Sequence, residues 1–126
     1  MEIDIPDTDT CAEEHQPDRA DCAAIDMPNS YDEFVDLDAG ECYSNGNRNW
    51  CDIHRYGTCQ ITVGWDTNDG KPNVTKDELK NMVQGHLGTG TCAGYTEDLQ
   101  KVCAVGADVC TQPWKFCMKR VGLDCM

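Results

Sequence analysis

The chain has 126 residues, ten of them cysteine, with 23 acidic side chains against 10 basic ones and a formal net charge of −13. That length suits a single domain with a real core. No apolar run reaches the ~20 residues a membrane-spanning helix needs, and an acid excess of this size disfavours nucleic acids and anionic membranes, whose phosphates it cannot neutralise.

The charge is concentrated at the start. Residues 1–42 hold 14 acidic groups and one basic group, Arg19, whereas residues 43–126 hold nine of each. Residues 1–10 read as a solvated acidic lead; from Cys11 onward the cysteines tie the chain into one domain, 11–126. The opening Met1-Glu-Ile-Asp lacks the basic start and apolar middle of a signal peptide, so the expected form is a mature secreted chain behind an added Met1.

In chain order, a short helix is expected over 19–26, with Cys22 and Ile25 facing inward. Ser30-Tyr-Asp-Glu33 has the form of a capping box ahead of Phe34, Val35 and Leu37 and predicts a second helical start. Residues 49–56 read as a strand leading into Tyr56-Gly57. In 57–65, Cys59, Ile61, Val63 and Trp65 alternate with Thr58, Gln60 and Thr62, the pattern of a strand with one buried face. Cys59 is therefore expected to be buried and to bridge toward whatever covers the sheet; Cys22 and Cys103, both on predicted helices, are the candidate partners.

Residues 66–73 are dense in turn formers and predict a loop. Within it Asn73-Val74-Thr75 is an N-glycosylation acceptor. Thr75-Lys-Asp-Glu78 is a capping box, and Leu79, Met82, Val83, His86 and Leu87 recur at helical spacing, so a helix is predicted over 76–87, stopped by Gly88. A further helix is predicted after Thr96, with Glu97 and Asp98 in its first turn, Leu99, Val102 and Cys103 on one face, and an end near Gly106. Across 113–121, Trp114, Phe116 and Met118 alternate with Lys115, Cys117 and Lys119, which predicts a strand. Cys117, on its polar side, should bridge to a loop or to a second layer. The interleaving without a regular βα repeat predicts an α+β fold, an antiparallel or mixed sheet covered by two or more helices.

The cysteines are Cys11, Cys22, Cys42, Cys51, Cys59, Cys92, Cys103, Cys110, Cys117 and Cys125, no two closer than seven residues. Structural zinc, redox and iron–sulfur sites usually place cysteines two to four residues apart, because one turn must bring two sulfurs together. An even, well-spaced set in a short chain predicts five disulfides made in an oxidising compartment, hence a secreted, extracellular protein. Each bridge should add roughly 2–4 kcal/mol by restricting the unfolded chain.

Catalytic signals are thin. In an EF-hand register over 66–77, Asp66 and Asn68 fit positions 1 and 3, but Gly70 falls one place early and Asp77 stands where a bidentate glutamate belongs. No metal site or cofactor is expected. Only Ser30 and Ser44 are serines and no G-x-S-x-G elbow occurs, which disfavours a serine hydrolase; an even cysteine count argues against a thiol nucleophile. The adjacent cysteines and His-Asp pair of venom-type phospholipases are absent. A small secreted hydrolase such as a ribonuclease would need a histidine facing a carboxylate, for instance His54 with Glu41 or Glu78. His86, on the apolar side of its helix, reads as a boundary core residue, and Trp50, Trp65 and Trp114 read as core.

The order Asp21-Cys22, then Trp50, then Tyr56-Gly57-Thr58-Cys59 running into an apolar strand, then a helix over 77–87 and later cysteines, resembles the fungal necrosis-inducing effector family. That family is similar in turn to the virally encoded fungal killer toxins with an α/β-sandwich fold. The resemblance covers residues 21–103. It implies a small secreted virulence-type protein that binds a host or competitor protein, such as an immune receptor or an ion channel, with Cys22 and Cys59 in the framework and Trp50 in the core. It carries no catalytic residues over. The expected activity is therefore binding by a monomer, without nucleic acid or membrane insertion. The expected contact surface is hydrophilic turns: the segment 43–48, ending in Arg48, and the loop carrying Asp66, Asn68, Asp69 and Lys71, with Lys76 beside it.

Overall fold

A computed structural model of the chain describes residues 4–5, 11–25, 33–89, 92, 96–99 and 113–125. Seven strands and two helices are built from them: β1 (Asp4–Ile5), α1 (Arg19–Ala23), β2 (Cys42–Asn45), β3 (Arg48–Tyr56), β4 (Cys59–Asp66), α2 (Lys76–Thr89), β5 (Thr96–Leu99), β6 (Trp114–Arg120) and β7 (Asp124–Cys125), with one 3-10 turn at Glu13–His15. Five strands form a sheet in the order β2-β3-β4-β6-β5, every neighbouring pair antiparallel. β1 and β7 form a separate parallel pair. The architecture is α+β, as the interleaved pattern predicts.

Two tight hairpins organise the centre of the sheet. Asn45 pairs with Arg48 and Tyr56 with Cys59, so each connection is two residues long. Each starts with a glycine at positive φ, Gly46 at 64° and Gly57 at 55°, which matches the twist of the flanking strands. Between Asp52 and His54 the β3–β4 register shifts at a bulge. Strand alternation places Trp50 and Asp52 on one face of β3, and the bulge after Asp52 brings His54 opposite Ile61.

One face of the sheet carries Cys51, Ile61, Val63, Trp65, Trp114, Phe116 and Met118, packed in one cluster with Cys22 of α1 and Leu79 and Val83 of α2. The apolar spacing of 76–87 is thus the face that α2 buries on the sheet. Its start is capped as predicted: the Glu78 N–H donates to Thr75 Oγ1 at 3.2 Å, and the Thr75 hydroxyl donates to the Glu78 carboxylate at 3.0 Å. Gly88 does not stop the helix, which runs to Thr89.

The other sheet face is also covered. Trp50, Cys117 and Cys125 form a second buried cluster with Tyr43 against it. The polar positions of β4, Gln60 and Thr62, are consequently 7% and 0% exposed, and Lys115 and Lys119 of β6 are 4% and 1% exposed. β4 thus has two buried faces, and alternation shows in residue type but not in burial. Trp50 lies flat on Gly64: a Cβ there would overlap the indole and the Asn49 carbonyl.

Four disulfides are formed among the described residues: Cys11–Cys92, Cys22–Cys59, Cys42–Cys51 and Cys117–Cys125. Cys59 takes the first of its two predicted partners and joins α1 to the central strand. Cys117 reaches a second layer, β7. Cys103 and Cys110 lie outside the described residues. Bridges of this number fit an oxidising, extracellular environment.

Two predicted helices are corrected. Thr96–Leu99 is an edge strand, paired with Trp114–Cys117 of β6; its acidic start suits a helix N-terminus, but the unpaired edge of β6 takes its backbone groups instead, a tertiary override of local preference. Val102, Cys103 and Gly106 lie outside the described residues. The capping box at 30–33 does not start a helix over 34–37. There Val35 N–H donates to the Val74 carbonyl, Lys76 N–H donates to the Glu33 carbonyl, and Phe34 faces Thr75 in an antiparallel bridge. A backbone donor and a backbone acceptor that a helix would need are committed to the chain at the start of α2. Ser30 to Asp32 lie outside the described residues, as does Asp26 at the end of the first predicted helix.

Candidate functional site

The β3–β4 pair ends at a tip where Arg48 is opposite Asp66. Asp66 Oδ1 faces two cations, Arg48 Nε at 3.5 Å and Lys115 Nζ at 3.8 Å. The loop after Asp66 folds back on the β2–β3 turn: Thr67 N–H donates to the Asn47 carbonyl at 2.7 Å, and Asp69 N–H donates to the Asp66 carbonyl at 2.9 Å. Together the two loops line an open depression that includes Asn47, Arg48, Asp66, Asn68 and Asp69. Asn68 is exposed and Asp69 and Arg48 are half-buried. Both charge signs and a free amide are thereby presented on a strand pair that the sheet and the bridges hold stiff.

Four of the six predicted contact residues therefore converge. The other two do not. Lys71 Nζ donates to Asp38 Oδ2 and Lys76 Nζ donates to Glu33 Oε2, both at 2.6 Å. These cations strap the segment 33–38 onto the chain before α2, and that engagement, with the bends of the loop, takes them away from the tip. Asn73 is exposed between buried Pro72 and Val74, a geometry open to a glycan. In the segment 43–48, Tyr43 is packed inward, its hydroxyl accepting from the Cys125 N–H at 2.8 Å and from Lys119 Nζ at 3.2 Å.

A calcium ion at Asp66 Oδ1 would compete with the two cations that already face that oxygen. Among the described residues no group of three or more His, Cys, Asp and Glu side chains is placed to hold a metal, and no helix is long and apolar enough to cross a membrane. The histidines sit on separate elements. His86 Nδ1 lies 3.0 Å from the Met82 carbonyl, and its ring packs 5.0 Å from that of Phe116; a carbonyl partner requires Nδ1 to carry the proton. His54, on β3, has its pKa pushed below 6.5 by burial and by the Lys76 charge, which disfavours its protonated form.

The opposite sheet face holds a charged network that strand alternation alone does not reveal. Asp52 Oδ1 takes Lys119 Nζ at 3.1 Å and accepts from Thr62 Oγ1 at 2.8 Å. Asp52 and Thr62 are register partners, and Lys119 is opposite Gln60 one step away. The sequence signal for it is the pair of lysines, Lys115 and Lys119, set among and beside the apolar residues of 114–118, but their acidic partners depend on the sheet register. No family model, curated protein or solved structure matches the chain.

Proposed function

We infer that this chain is a secreted, disulfide-braced binding protein, effector-like in manner, that engages a host or competitor protein as a monomer through the tip of the β3–β4 pair. The supporting observation is the convergence of Arg48, Asp66, Asn68 and Asp69 on one open depression carried by a cross-linked sheet. Loops on a rigid scaffold are where recognition residues concentrate, and pre-ordering them lowers the entropy lost on binding. Five bridges belong to this reading: the four described use eight cysteines, which leaves Cys103 and Cys110 to each other. A glycan on Asn73 also belongs to it.

The test applies purified, oxidised protein to plant tissue and to competing fungal cultures, scoring cell death and growth arrest. The expected result is activity at wild type and its loss in an Asn68→Ala, Asp69→Ala double variant whose melting temperature is unchanged. Activity retained by that variant removes the tip from the mechanism. Cleavage of RNA by the wild type, abolished by His54→Ala, would replace the binding reading with a hydrolytic one.

A further inference from the structure

At the far end of β3 from Arg48, a groove of about 540 Å³ runs over the second sheet face, between residues 40–55 and the turn at 121–124. Gln60 lines it and is only 7% exposed. Its Nε2 donates to the His54 carbonyl at 2.8 Å and to the Ile61 carbonyl at 3.2 Å. Two carbonyl partners fix which end of the amide is nitrogen. Oε1 is thereby left to the groove, with no hydrogen bond among the described residues. Asp52 lies beside it; Lys119 and Thr62 occupy Oδ1, and Oδ2 takes no hydrogen bond among the described residues. Glu41 and Asp124 bring carboxylates to the lining, and Arg55 is its only cation among the described residues.

The lining therefore offers acceptors in excess of donors. Oε1 belongs to a mostly buried side chain but still reaches solvent, so a ligand with N–H groups replaces its water with a hydrogen bond, whereas a ligand without them gives up that water for nothing. An anion would meet the Glu41 carboxylate and Oδ2 of Asp52, and an apolar group would leave Oε1 without a donor. A cation with several N–H donors satisfies both the acceptors and the charge. We propose that this groove binds a guanidinium or primary ammonium side chain presented by a basic peptide, arginine preferred because its planar fork can reach Gln60 Oε1 and Asp52 Oδ2 together. The chain's net charge of −13 draws such a peptide in over long range. The site stands apart from the tip and does not depend on its role.

The test titrates Nα-acetyl-arginine amide into the ¹⁵N-labelled, disulfide-intact full chain. Saturable shifts are expected at the Gln60 side-chain amide, Arg55 and residues 121–124. Glu41→Gln, at an exposed position, should weaken binding about two- to fivefold, the range of a single exposed charge pair, and Gln60→Met should weaken it at least as much. Arg55→Gln should strengthen it. Asp77→Asn, which removes one negative charge on the helical side, should leave it unchanged. The proposal is overturned by shifts spread over the whole acidic surface, by equal effects of Glu41→Gln and Asp77→Asn, by the absence of saturation, or by equal binding of neutral acetyl-citrulline amide or of maltotriose.

Discussion

Asp21 and Thr58 are locked together across 37 residues: Asp21 Oδ2 accepts from the Thr58 N–H at 2.8 Å and from its hydroxyl at 2.7 Å. The hydroxyl oxygen in turn accepts from the Asp18 N–H at 2.7 Å, so the threonine closes the start of α1 onto the β3–β4 turn. Gly57 sits directly against this carboxylate, where a Cβ would overlap it. The neighbouring residues Cys22 and Cys59 form the disulfide that joins the same two elements. Asp21-Cys22 and Gly57-Thr58-Cys59 thus act as one clip, polar on one side and covalent on the other.

The clip has a pH signature. The Thr58 backbone bond, then its hydroxyl, hold the Asp21 carboxyl below 3.8, with a smaller contribution from the Arg120 charge and opposition from burial. A depressed native pKa stabilises the fold above the unfolded value, and that stability is lost as pH falls through the native one. Thermal melts of wild type and Asp21→Asn should differ by a constant amount above about pH 5 and converge below pH 3.8. Parallel curves down to pH 2 would show that the charge contributes nothing.

The bridges should be graded by the loop each closes. Cys22–Cys59 spans 37 residues and Cys42–Cys51 spans 9. Loop-closure entropy then predicts that removing the first as an alanine pair costs about 4 kcal/mol and the second about 2.7 kcal/mol. Urea unfolding of the two double variants measures both; a reversed order would mean that native packing at Cys42–Cys51 outweighs chain entropy.

Gly64→Ala tests the contact between Trp50 and the sheet. No space exists for a methyl between indole and strand, so the ring or the backbone must move, at a cost of about 1–3 kcal/mol. Urea unfolding should register that loss and the tryptophan emission should shift red as Trp50 loosens. An unchanged midpoint and spectrum would place the indole elsewhere.

The Asp52–Lys119 pair should respond unequally to its two deletions. The side chains are 22% and 2% exposed respectively. Asp52→Ala leaves a buried ammonium without its counter-charge, keeping the Tyr43 hydroxyl, and should cost about 3 kcal/mol, at the low end for a broken buried pair because Asp52 itself meets solvent. Lys119→Met leaves a carboxylate that keeps Thr62 and can hydrate, and should cost less. The double variant should be more stable than Asp52→Ala alone, since the stranded charge is gone. Equal losses in the two single variants would contradict the asymmetry.

Residue types and spacings were enough to identify the disulfide class, the strands centred on 49–56, 57–65 and 113–121, the helix over 76–87 with its Thr75 cap, and the turn-rich loop between. Each of these is written in neighbours a few positions apart, through alternation, helical spacing or capping chemistry. The tip site was half legible for the same reason: turn residues announce a loop, but whether Lys71 reaches the tip or is drawn to Asp38 depends on a segment some 33 positions away. The choice of Cys22 for Cys59, the conversion of Thr96–Leu99 from helix to edge strand, and the burial of Gln60, Thr62, Lys115 and Lys119 were decided by tertiary structure alone. Each depends on which distant backbone edge or layer comes to lie alongside, and pairing register is a property of two segments that neither carries by itself.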